Sequence, residues 1–107
     1  MGCNDFRFTS SAEEDLDGIL NYMQNQLSNP IAAASFYREL TEQIDIICNF
    51  PASGSPADND FISDKRVRKA LLGNYIIFYR LLEDISMIEI LRIIYGKRSP
   101  EMFRSIE

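Results

Sequence analysis

The sequence predicts an α+β domain in the order β-α-α-β-β-β, with a helical hairpin packed on one face of a small antiparallel sheet. Three observations predict it. The stretch from Asn74 to Arg98 (NYIIFYRLLEDISMIEILRIIYGKR) reads as two long strands rich in β-branched and aromatic residues, joined at Glu83-Asp84. Two amphipathic helical patterns with almost no loop between them precede it, and two segments of strand character flank those helices. At 107 residues the chain is expected to be one domain throughout.

Asp5 to Thr9 (DFRFT) alternates, with Phe6 and Phe8 on one face, and reads as a short first strand. Ser11-Ala12-Glu13-Glu14 has the order of a capping box, so the first helix is expected to start there. Its apolar stripe is Ala12, Leu16, Ile19, Leu20, Met23 and Leu27, with Glu13, Glu14, Asp17, Asn21 and Gln24 toward water. Asn29-Pro30 supplies an N-cap and a first-turn proline for the second helix. Its stripe is Ala33, Phe36, Tyr37, Leu40, Ile44, Ile47 and Cys48, and Phe50-Pro51 ends it. Helices so closely joined form an antiparallel hairpin.

From Ala52 to Asp64 the chain (ASGSPADNDFISD) is small, polar and turn-rich, which predicts a long loop. Lys65 to Leu72 (KRVRKALL) reads as a strand, with Arg66 and Arg68 on one side, leading through Gly73-Asn74 into the central hairpin. In that hairpin Tyr75, Ile77, Tyr79 and Leu81 oppose Ile76, Phe78, Arg80 and Leu82. Met87, Leu91, Ile93 and Tyr95 likewise oppose Ile88, Ile90 and Ile94. Arg80 and Arg92 are candidates for ion pairing with Glu89 or Asp84. Both sheet faces are apolar and need cover, yet the helices suffice for one. The other face is expected to be bare, awaiting a partner or a second copy in a homodimer. Ser99-Pro100-Glu101 predicts a short closing helix.

Composition narrows the function classes. No apolar run approaches the roughly 20 residues of a membrane span. Asp5 and Arg7 interrupt any secretory signal, and Phe6 stands where myristoylation wants Ser or Thr, so a cytoplasmic protein is expected. Histidine is absent, and Cys3 and Cys48 have no metal or redox spacing, so no metal or cofactor is expected. Residues 1–64 hold eleven acids and two bases, residues 65–107 nine bases and five acids. The basic half is the part expected to meet something anionic. The cations from Lys65 to Lys69 are too few to hold nucleic acid alone at physiological salt.

The order of elements, with AEEDLDGIL from Ala12, Asn29-Pro30, Phe50-Pro51, Arg68, GNYIIFYR from Gly73 and IEILRIIYGKR from Ile88, resembles the RelE/ParE toxin superfamily of type II toxin–antitoxin modules. The resemblance implies the RelE/ParE toxin fold, a part in plasmid stabilisation and a cognate antitoxin whose C-terminal segment wraps the toxin. The RelE-like branch cuts messenger RNA on the ribosome, which requires groups that activate a ribose hydroxyl and stabilise a charged phosphorane. Arg68, Lys69, Lys97 and Arg98 match cations of that branch, but Ile76 replaces its second arginine and Phe103 its terminal proton donor. The ParE-like branch, which inhibits DNA gyrase by binding, is the closer, although Tyr95 replaces its usual histidine. Candidate target-binding residues are Arg66, Arg68, Tyr79, Tyr95, Lys97 and Arg98. The alternatives are a ribosome-dependent endoribonuclease, and a degenerate member that binds its antitoxin without toxicity.

Overall fold

The computed structural model describes residues 5–57, 62 and 64–96. Strand β1 (Asp5–Phe8) leads into helix α1 (Ser10–Asn21), whose end widens into a π-helical turn at Tyr22–Gln26, and helix α2 (Pro30–Asn49) follows. A 3-10 turn at Pro51–Ser53 precedes a two-residue strand β2 (Ser55–Pro56). Strands β3 (Arg68–Leu72), β4 (Tyr75–Leu82) and β5 (Met87–Tyr95) complete the described elements. One sheet results, in the order β1-β5-β4-β3-β2. It is mixed, because β1 runs parallel to β5 while every other pairing is antiparallel.

Local chemistry explains the boundaries. The cap of α1 is Thr9 and not the expected Ser11: its hydroxyl accepts from the Ala12 amide at 3.1 Å and donates to the Leu91 carbonyl at 2.8 Å. One side chain thus closes the helix start and ties it to β5. Asn29 caps α2 as expected, accepting from the Ala32 amide at 3.0 Å, with Pro30 in the first turn. Between the helices Ser28 takes a left-handed conformation, φ 49°. Gly73, at φ +60°, allows the tight β3–β4 turn that a β-carbon would strain.

The helix-side core joins Ala12, Phe36, Leu40, Ile44 and Ile47 to Ala70, Ile77, Tyr79, Ile88, Ile90 and Ile93. Two members of the expected stripes are exposed where burial was expected. Leu27 follows the π turn, where the extra residue per turn rotates it off the buried face, and Tyr37 sits at the margin of α2; both are about half exposed.

Strand β4 keeps the expected alternation, but β5 does not. Phe78 opposes Arg92 while Tyr79 opposes Ile90, so Leu91 is the extra residue of a β-bulge. The bulge reverses parity: Ile88, Ile90 and Ile93 pack toward the helices, Leu91 and Ile94 away from them.

The far face is covered, against expectation. The chain after α2 turns back over it, and buried Ile62 and Val67 pack on Phe78, Leu91 and Ile94. Toward the β4–β5 turn, cover is ionic. Glu89, 7% exposed, receives Arg7 at 3.0 Å and Arg80 at 2.7 Å, and Arg80 also reaches Asp64 at 2.8 Å. Only the position of Leu71 on β3 remains strongly exposed among the large apolar residues of these central strands, at 71%. The segment expected to start a strand at Lys65 instead turns at Lys65 and Arg66, because Asp64 holds both the Arg66 amide and its guanidinium. Arg66 and Arg68 therefore do not share a strand face. The expected helix at Ser99 lies outside the described residues.

Candidate functional site

The end of β5 is the part of the sheet built differently from the rest. Strand β1 stops at Phe8, opposite Ile90, so the following residues of β5 have α1 beside them in place of a strand. Asp15 on α1 takes over the edge. Its carboxylate accepts from Arg92 Nε at 2.6 Å and Nη2 at 2.9 Å, and from the Ile93 amide at 3.0 Å. A bidentate pair that also satisfies a strand N–H fixes the helix to the bulged strand. The adjacent carboxylate holds the Arg92 pKa above its ordinary value, against the opposing effect of burial.

Between this strand end and the first helix lies an open groove of about 850 Å³. Tyr22, Met23 and Leu27 of the π turn and its exit form one wall, Tyr75, Ile93 and Tyr95 the other. Phe36, Tyr75 and Tyr95 form an edge-to-face series, with centroids 5.2 and 5.5 Å apart, leading from the core to the surface. The Gly96 amide donates to the Asn74 carbonyl at 2.8 Å, so the chain leaves the sheet beside the β3–β4 turn. Both irregularities bordering the groove, a π turn and a bulge, are of the kind that re-aim side chains at functional surfaces.

Of the expected site residues that the structure describes, only Tyr95, 37% exposed, lines the groove. Lys97 and Arg98 lie outside the described residues, one and two positions beyond Gly96. Tyr79 is fully buried: its hydroxyl donates to the Pro51 carbonyl at 2.8 Å and accepts from the Gly54 amide at 3.0 Å. That placement removes it from any surface and makes it the post on which the returning chain is hung. Arg68, paired with Tyr79 and so about 13 Å along β4 from Tyr75, donates to the Gly54 carbonyl at 2.6 Å and the Ala52 carbonyl at 3.3 Å. Arg66 is exposed and salt-bridged to Asp64. Lys69 is half-buried on β3, opposite Phe78. Among the described residues no cluster of potential metal ligands occurs, and no helix is long and apolar enough to cross a membrane.

Asp15 is the residue that sequence reasoning missed. Arg80 does pair with Glu89, but Arg92 finds neither Glu89 nor Asp84. The available signal was an arginine inside an apolar strand, which demands an anion.

Comparison with known proteins agrees with the architecture. A family model, the ParE toxin of the type II toxin–antitoxin system parDE, matches residues 6–100. Toxin ParE1 of Caulobacter vibrioides is 29% identical over 86 residues, covering 80% of this chain and 85% of that protein. In structure, a chain of the chromosomal ParDE system from P. aeruginosa is similar at a TM-score of 0.67 and 22% identity, covering 87% of this chain and 96% of its own. A chain of the RelBE2 toxin–antitoxin complex from Mycobacterium tuberculosis is similar at 0.60 and 20% identity, covering 89% and 99%.

Proposed function

The chain belongs to the ParE toxin family of type II toxin–antitoxin systems, and on that premise we propose that it arrests bacterial growth by binding DNA gyrase in the cytoplasm until a cognate antitoxin covers it. The observation that carries the binding mode is the commitment of Arg68. A nuclease of the RelE-like kind would need that cation for a phosphate, and here its guanidinium is held by two backbone carbonyls. Ile76 offers no replacement, being partly buried against the far-face cluster. What the β5 end does present is an aromatic and apolar groove with Tyr95 at its rim, a surface suited to recognition. Lys97 and Arg98, which follow Gly96 in the sequence, are the cations proposed to meet the target.

The test is inducible expression in a bacterial host without antitoxin, alongside Arg98→Ala, scoring growth, DNA-damage response and transcript integrity. Arrest with a damage response and intact transcripts, relieved by Arg98→Ala, is the expected result. Cleaved transcripts would replace gyrase with the ribosome and messenger RNA as the target, and normal growth would leave an antitoxin-binding member without toxicity.

A further inference from the structure

A second groove, of about 460 Å³, opens on the opposite side of the helical hairpin, between β1 and the two helices. Phe6, Phe8, Leu16, Tyr37 and Ile44 give it an apolar floor, and Phe6 and Tyr37 are 42% and 52% exposed. Such a floor is costly to leave in water and fits the apolar stripe of a helix laid across it. The rim carries charge of one sign. Glu13 and Asp17 stand one helical turn apart on α1, both exposed, and among the described residues neither forms a salt bridge. Arg7, the cation lining the same groove, is bound to Glu89.

We infer that this groove seats a basic amphipathic helix, with Glu13 and Asp17 selecting its charge, and that the antitoxin supplies it, an assignment that rests on the toxin reading above. Two cations four residues apart on the incoming helix would match the one-turn spacing of Glu13 and Asp17. Among the described helices, a second copy of this chain has none of that kind to offer. Helix α1 contains no Lys or Arg, and α2 contains Arg38 alone. The chain's own acidity therefore directs the groove toward a partner of opposite charge.

The test uses the full chain and two synthetic amphipathic peptides of about 18 residues, long enough to populate a helix in water. They share their leucine positions and differ in carrying lysines or glutamates along one flank. The lysine peptide is expected to bind more tightly by about three- to thirtyfold, the range that two partly shielded ion pairs supply. Raising salt from about 0.05 to 0.5 M should erase most of that preference, a comparison that needs no variant. Glu13→Gln with Asp17→Asn, which preserves size, should erase it at low salt. Equal affinity, failure of both peptides to bind, or a preference that survives the double substitution overturns the proposal. So does a concentration-dependent dimer of the chain that Tyr37→Glu dissociates, since a second copy would then own the groove. Binding is blind to toxicity, so normal growth with a lysine preference removes the toxin reading and keeps the groove, whereas arrest with no preference does the reverse.

Discussion

The Gly54 amide donates to the Tyr79 hydroxyl at 3.0 Å, and a β-carbon on Gly54 would lie 2.5 Å from that oxygen and 2.5 Å from the Lys69 carbonyl. The chain leaving α2 can approach the sheet this closely only because position 54 has no side chain. Gly54→Ala is expected to destabilise by about 1–3 kcal/mol, since one of the two obstacles is backbone and cannot rotate away. Tyr79→Phe should cost about 1–2 kcal/mol by removing the partner of a half-buried carbonyl and amide together. Denaturant unfolding checks both, and a Gly54→Ala variant as stable as the wild type would show that the approach is not so tight.

Glu89 and Arg7 share a salt bridge but not its consequences. Glu89→Ala takes from Arg80 its strand partner and leaves it only Asp64 among its salt bridges, and about 1.5–3 kcal/mol of lost stability is expected. Arg7 has half its side chain in solvent, so Arg7→Ala should cost less than about 1 kcal/mol. Equal losses in the two variants would contradict this ranking of burial.

Asp64 makes the fold sensitive to acid. Hydrogen bonds from the Arg66 side chain first, then from the Arg66 amide and Arg80, outweigh burial and hold its pKa well below the carboxylate range. A pKa lower in the folded than in the unfolded chain gives stability that is present above about pH 4 and lost as pH falls below it. Asp64→Asn should therefore be less stable than wild type at neutral pH, with the difference shrinking as acid is added. Unfolding curves of both proteins across the acid range check the sign.

Asp15→Ala is expected to cost about 1–3 kcal/mol, because it removes the bidentate carboxylate from Arg92 and leaves the Ile93 amide unpaired at once. Its specific mark should be local. Hydrogen exchange at Ile93 should accelerate more than at Ile77, which lies beside it in the sheet but does not bond to Asp15. Uniform acceleration would reduce the pair to a general contributor to stability.

Helix caps offer a calibration. Asn29→Ala should lose about 1 kcal/mol, and Thr9→Ala more, since Thr9 also holds the Leu91 carbonyl. Thermal unfolding of the two variants gives the comparison.

The sequence by itself determined the elements and most of the core. Alternation and helical spacing placed the hairpin strands, both apolar stripes, the Asn29 cap and the Phe50-Pro51 stop, because each depends on neighbours within a turn or a strand. Partnership across the chain was not legible in the same way. A single extra residue, Leu91, reversed the facing of β5, and bulges leave no period to read. The turn-rich stretch after Ala52 looked like open loop, yet it sets Gly54 on Tyr79 of the helix-side core and carries Ile62 onto the far face, which pattern alone left bare. Tyr79 and Arg68 looked available for a target because alternation tells which face a residue is on, not what lies above it. Only packing decided that Arg92 would meet Asp15, residues 77 positions apart, since low-dielectric pairing depends on distance in space and not on separation along the chain.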